Sequence, residues 1–450
     1  MKPAPHYRWR PEWLPSRRPW QVALAGTCLL AFVAQVAMLP LRGTGDVRTF
    51  KEWGVSSLAS GLTSVYREHP DDPYAAPDYP PISVSLISAA TGVVERVFGA
   101  VSVDSRLLTF YIKLLTLLGG LAGAGVLWWH VRTLTPDVST AFFWGAIYFL
   151  NPAHIVNGPL LGYLDPLCLT LGLAAIVCAG RRRFVAAAVL AVLSALVKPQ
   201  GLFFLLPVAV TLWDSGRVAR AATAAGATGV GLCLPFVIGS GPLHFGRAML
   251  VNFREDMLSG NALNLWWMVT AVMRIGHYGW DVFDVRLSLV SVSHFVGLAG
   301  VNPRPWMAAI VIGTAAWLGW SIRGRRHVAD LAAYVALVVH LYFVVAISVH
   351  ENHLVYAAVP ALIAAVEHRE YRRLALGLNL LTAANMLLFY GVGRDWPEIP
   401  RVGMFLPLTV LLAGANVALL VAHARAFQRS ILRRGEPADA WQAAGTARAV

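Results

Sequence analysis

Long apolar runs recur between residues 20 and 424, broken by short polar or basic punctuation. Runs of about 17 residues or more match the hydrocarbon thickness of a bilayer when helical. The apolar runs fall at 20–40, 106–130, 140–156, 162–179, 184–199, 201–213, 218–238, 305–321, 331–349, 353–366, 374–390 and 404–424, with 201–213 and 353–366 shorter than that length. No alternation of roughly ten-residue segments, the mark of a membrane β-barrel, is present. The pattern predicts an all-α, polytopic helical membrane protein of about 12 spans.

Two stretches near the start break the rhythm. In 47–62, Phe50, Trp53 and Leu58 recur at helical spacing while Arg48, Lys51 and Glu52 lie elsewhere on the wheel. That is an amphipathic helix suited to the membrane plane. The run 82–98 is apolar enough to cross, but a crossing there would reverse every later loop. Arg181-Arg182-Arg183, Arg323/Arg325/Arg326 and Arg369/Arg372/Arg373 would then face outward. Basic loops favour the cytoplasm, so 82–98 is expected in the membrane plane too. The expected organisation is a basic cytoplasmic tail (1–19), a membrane domain (20–424) whose first outer loop is 41–105, and a disordered cytoplasmic tail (425–450). Both termini face the cytoplasm. The first apolar run is too long for a signal-peptide core and reads as an uncleaved anchor.

Composition agrees. The chain is 57% hydrophobic and 14% charged, with a mean hydropathy of +0.58, where soluble domains carry about a quarter charged residues. The net charge of +13 collects on predicted cytoplasmic segments facing anionic lipid, so membrane lipid rather than nucleic acid is the expected partner. Cys28, Cys168, Cys178 and Cys233 lie in apolar runs without ligand spacing and read as buried small residues. No set of side chains has the spacing of a metal site. High Ala, Arg and Gly content suits a GC-rich bacterial genome, hence a bacterial cytoplasmic membrane.

With this topology the polar motifs gather on the outer side. Gly45-Asp46 opens the amphipathic helix; Asp46 suits a helix N-cap and also a general base within reach of a hydroxyl. Asp78-Tyr79-Pro80-Pro81 starts the next helix, with Asp78 its expected cap. Lys198-Pro199-Gln200 ends an apolar run, where a lysine either snorkels or binds an anion such as phosphate. His350-Glu351-Asn352-His353 lacks the spacing of a zinc helix; its histidines can donate to phosphate oxygens, with Glu351 holding the tautomer, or can form an interfacial turn. Asn264, Trp266 and Trp267 suit a sugar or lipid contact, or an aromatic belt.

Together Gly45-Asp46, Asp78-Tyr79-Pro80-Pro81, Asn151-Pro152 with Gly162 and Asp165, Lys198-Pro199-Gln200, and Val349-His350-Glu351 resemble the GT-C superfamily of membrane glycosyltransferases. The likeness is nearest to the dolichyl-phosphate-glucose glucosyltransferases of N-glycan assembly and their bacterial relatives. It covers roughly 42–360. It implies an inverting glycosyltransferase that moves one sugar, mannose or glucose, from a polyprenyl-phosphate carrier to a glycan, glycolipid or other lipid-linked acceptor on the non-cytoplasmic face. It implies Asp46 as base and His350 on the donor phosphate, with Lys198 nearby. Asp78, Tyr79, Tyr163, Asp165, Gln200, Asn264, Trp266, Glu351 and His353 are the expected pocket. Relatives often have Gln where this chain has Tyr163. No metal or cofactor is expected, because Asp71 and Asp72 form no metal box with Asp46. The competing expectation is a lipid-linked sugar flippase, and a non-catalytic assembly subunit is a further one.

Overall fold

The computed structural model describes residues 19–67, 76–213, 215–251, 255–278, 290–391 and 406–432. The basic tail before Pro19, Asp71 and Asp72, and most of the terminal tail lie outside these. The described residues are helical throughout; extended pairing is confined to isolated bridges between Gly260, Asn261 and His350.

The first four helices are α1 (Pro19–Met38), α2 (Gly45–Ser60), α3 (Pro81–Phe98) and α4 (Arg106–Leu134). α5 (Val138–Phe149) leads into α6 (Pro152–Ile155), followed by α7 (Asp165–Gly180), α8 (Phe184–Val197) and α9 (Leu205–Leu212). Next come α10 (Val218–Ser240), α11 (Pro242–Leu250), α12 (Leu265–Tyr278), α13 (Val292–Ala299) and α14 (Pro303–Ser321). The chain closes with α15 (Val328–Val345), α16 (Val355–Glu367), α17 (Arg369–Tyr390) and α18 (Leu406–Phe427). Side-chain caps open several of these. Ser105 accepts from Leu108 N at 3.2 Å for α4, and Asn302 accepts from Arg304 N at 3.0 Å for α14, where Pro303 fills the first turn.

Among the described residues, seven helices are long and apolar enough to cross a membrane, or up to eight if the α13–α14 pair, bent by 104°, counts as one span. This is a multi-pass helical membrane protein. Large apolar side chains stand exposed on α1 (Leu30), α10 (Ile238), α14 (Ile312) and α18 (Leu411), a surface suited to lipid rather than water. α3, expected in the membrane plane, is among the seven. Several expected runs are cut short. α5, α7 and α8 hold 12, 16 and 14 residues, each less than about 30 Å long. A π-turn at Val156–Leu160 and a 3₁₀ stretch at Pro199–Phe204 interrupt the pattern, beside Pro159 and Pro199.

The buried centre is α15 and α16, whose side chains are almost all inaccessible and which pack on each other and on α7. α2 packs along α3, and both lean on α4. This places the 41–46 turn beside the residues entering α7. Gly43 (φ +72°) brings its Cα against the Leu161 carbonyl, where a Cβ would lie 2.5 Å from that oxygen. Gly162 (φ +88°) leaves no room for a Cβ against Val47. Only glycine meets both demands, backbone sign and space, at these two positions.

Candidate functional site

Asp46 sits in the first turn of α2, but it does not cap the helix. Thr44 is the cap residue, and its backbone N–H and hydroxyl both reach Leu161 O, at 3.0 and 3.3 Å. The N-cap reading of Asp46 is thereby corrected. Lys113 secures the same turn from beneath, donating to Met38 O (2.8 Å), Leu41 O (3.0 Å) and Leu160 O (2.9 Å). Burial pushes the Asp46 carboxyl above its usual range, while the charges of Lys198 and His350 oppose the rise. Asp46 and the two expected phosphate-binding residues therefore share one electrostatic neighbourhood.

Asp78 is not the cap of α3 either. Pro80 occupies that position, because a proline pair sets the helix start without a side-chain bond. Asp78 stands in the field of Asp46 instead. Burial first, then the charge of Asp46, raises its carboxyl to about 6. Tyr79 is buried against Phe50 and Trp53, with ring centroids 5.3 and 5.6 Å away.

Lys198 neither snorkels nor faces solvent. Its Nζ donates to Asp165 Oδ1 at 2.7 Å, and it lies over the rings of Tyr79 (5.5 Å) and Tyr163 (5.4 Å). Asp165 is fully buried and accepts three further bonds, from Tyr356 Oη (2.5 Å), Asn352 Nδ2 (2.7 Å) and Asn157 Nδ2 (3.0 Å). A buried carboxylate with that many donors is a structural junction as much as a pocket wall. It joins the start of α7, the α8–α9 linker, the π-turn and the α15–α16 turn.

The His350 run forms the opposite wall. His350 Nε2 meets Glu255 Oε2 at 2.7 Å, so Glu255, not Glu351, holds this ring. Burial would lower its proton affinity, but Glu255, Glu351 and Asp46 together lift it to about 9. Glu351 accepts from Tyr163 Oη at 2.6 Å and leaves Oε2 unpartnered. Its carboxyl is raised by burial, against the charge of His350 and the Tyr163 bond. His353 Nε2 meets Gln200 Nε2 at 2.7 Å, and burial, then the charges of His350 and Lys198, keep it neutral. His353 Nδ1 accepts from His350 N at 3.4 Å, so the neutral ring carries its proton on Nε2 and the Gln200 amide oxygen faces it. The Glu351 acceptor suits a hydroxyl donor of a bound sugar.

Asn264 and Trp266 are not part of this cluster. Asn264 caps α12 through Trp267 N (2.9 Å) and donates to Phe343 O (3.1 Å). Trp266 donates to Val345 O at 2.7 Å and packs edge-on against Phe295. Both were expected in the pocket because an Asn-aromatic run resembles a sugar platform; their polar atoms are consumed inside the fold.

An apolar groove of about 890 Å³ runs between α9, α14 and α15, lined among others by Leu206, Val311, Ala315 and Val338. Arg304 stands at one end of α14 and Arg323 near the other. The 19 residues of α14 give about 28 Å between them, one hydrocarbon thickness. The Arg304 end abuts the cluster. Gln200 lines the groove there, and the Arg304 guanidinium donates to Glu255 O and, at 3.4 Å, to Ser348 Oγ. Sequence reasoning missed Glu255 and Arg304. Arg304, set between two prolines at the head of an apolar helix, was the available signal; Glu255 had none. Among the described residues no group of three or more His, Cys, Asp or Glu could hold a metal ion.

One pH prediction follows. A His350 affinity raised from 6.5 to about 9 means the folded state binds its proton more tightly than the unfolded chain. The stability this ion pair adds is complete below 6.5 and is lost as pH rises through about 9. Wild-type thermal stability is expected to fall between those values, and Glu255→Gln to flatten that fall. Equal slopes in both proteins would remove the pair from the account. No protein-family model matches this chain, and no curated protein matches it.

Proposed function

We propose that this protein is an inverting glycosyltransferase using a polyprenyl-phosphate sugar, a member in function of the GT-C type. The carrying observation is that Asp46 stands in the field of Lys198 and His350, which meet the head of a membrane-length apolar groove through Gln200, Glu255 and Arg304. The lipid tail lies in the groove. Its phosphate sits at the Arg304 end, facing His350, with Lys198 acting through its field while paired to Asp165. Asp46 takes the proton of an acceptor hydroxyl as that oxygen attacks the anomeric carbon. The lipid phosphate departs as an anion, and the fixed cations stabilise the charge that develops on it. One carboxylate suffices because this leaving group needs no protonation, unlike the sugar alcohol of a glycosidase. Glu351 Oε2 accepts from a sugar hydroxyl. The reading includes about 12 spans, counting short and broken helices, with α2 and α3 in the membrane plane of the first outer loop. It places the site on the non-cytoplasmic face of a bacterial membrane, with cytoplasmic termini and no metal.

The test is incubation of the purified protein with a panel of polyprenyl-phosphate mannose and glucose donors, scoring acceptor-dependent release of lipid phosphate. No release from any donor, with tight donor binding retained, would favour the flippase reading. That reading draws on the polar side chains of His340, Asn416 and His423 inside the bundle, which a transport path requires. Arg304→Ala and His350→Ala are each expected to weaken polyprenyl-phosphate binding roughly tenfold or more, the worth of a charge-assisted hydrogen bond. Unchanged affinity would return both to structural partners of the Glu255 segment.

A further inference from the structure

A second polar line lies apart from this site, between α15, α17 and α18. Asp330 Oδ1 meets His368 Nε2 at 2.8 Å, with Arg325 3.7 Å from the other carboxylate oxygen. The rings of His368, Tyr371 and His423 follow at centroid spacings of 6.1 and 5.4 Å. His423 Nδ1 then meets His340 Nδ1 at 3.1 Å, and His340 Nε2 meets Asn416 Oδ1 at 3.0 Å. His340 and His423 are fully buried.

The proton positions are fixed by one carbonyl. Leu263 O can only accept, so the Asn416 amide nitrogen, 2.8 Å away, must face it. Asn416 Oδ1 therefore accepts from His340 Nε2–H. A neutral His340 then has a bare Nδ1, which must receive His423 Nδ1–H. This leaves His423 Nε2 bare, and it has no partner among the described residues. The same holds for the buried Tyr371 hydroxyl and His368 Nδ1. Three orphaned polar atoms thus sit on three successive rings, an acceptor, a hydroxyl and a ring nitrogen. Polar atoms so placed are normally bridged by internal water.

We propose that the His368–Tyr371–His423 face is a buried water-binding site, open to exchange from the end that carries Arg325 and Asp330. The charged groups facing the site are Asp330 and Arg325 at the α15 end, with Glu370 beside Tyr371 on α17. The site is tied to the candidate active site by hydrogen bonds rather than by a proton path. Asn416 holds Leu263 O, Asn385 holds Leu263 N and Asn261 O (2.9 and 2.8 Å), and Asn261 is bridged to His350.

The experiment is histidine-selective ¹⁵N NMR on the full chain in lipid nanodiscs, with Tyr371→Phe and His423→Phe variants. Near pH 8 the wild type should show one buried Nδ1–H tautomer with a cross-peak to slowly exchanging water, lost in His423→Phe. Tyr371→Phe should keep that tautomer and lose the water contact. A His423 that shows no water contact overturns the proposal. So does a water contact unaffected by Tyr371→Phe, which remains informative if His423→Phe fails to fold. None of these signals depends on sugar transfer, so the site and the glycosyltransferase reading stand or fall separately.

Discussion

Asp46→Asn is expected to lower sugar transfer by roughly 10²–10⁴-fold, the usual worth of a positioned general base, while leaving donor binding intact or slightly tighter. The sign of the binding effect comes from charge. Asp46 lies in the field of Lys198 and His350, so removing its negative charge leaves a more positive pocket for the phosphate. The amide keeps the size and the backbone setting of the carboxylate, because the turn is held by Thr44, Gly43 and Lys113 rather than by Asp46 itself. Burial raises the Asp46 carboxyl, so in the wild type transfer should fade on acidification above the ordinary carboxylate range. That acid limb should vanish in the variant along with the rate. Lipid-phosphate release by purified Asp46→Asn at the wild-type rate would remove the base from the mechanism.

Much of this arrangement was legible from local chemistry. The helical membrane class follows from run length, and Asp46, Lys198 and the His350 run stand out because polar groups at the ends of apolar segments need a reason; Tyr163 enters only through the family resemblance. Local reading failed where two residues far apart in sequence decide the outcome. Lys198 reads as a snorkelling or anion-binding lysine until Asp165 is folded against it. Glu351 is the neighbour of His350 in sequence, yet the 3₁₀ turn aims it at Tyr163 and leaves His350 to Glu255. The caps of α2 and α3 were misread for a different reason. An acid before a helix suggests a cap, but Thr44 and Pro80 already set those starts, so neither carboxylate serves there. Asn264 and Trp266 show the reverse error: a sugar-like signature spent on capping α12 and anchoring it to α15.

Asp165→Asn is expected to be the most destabilising single change near the site, about 3–5 kcal/mol, the cost of leaving a buried ion unpaired. The carboxylate faces four donors and no acceptor: Lys198 and Tyr356 on one oxygen, Asn157 and Asn352 on the other. An asparagine presents one acceptor and one donor, so one of these pairs must confront an N–H. If the amide nitrogen turns toward Asn157 and Asn352, the α15–α16 turn loses its tie; if it turns toward Lys198, the ammonium is stranded at 4% exposure. Equilibrium unfolding in mixed micelles gives the cost, and a cycle with Lys198→Met apportions it. In the Asp165→Asn background the lysine should be worth far less than in the wild type, because its partner is already gone. A loss below about 1 kcal/mol would mean that Lys198 is not held by Asp165 in the resting protein. The ammonium would then be free to bind phosphate by contact rather than through its field. The same measurement therefore separates two ways in which this lysine can serve the leaving group.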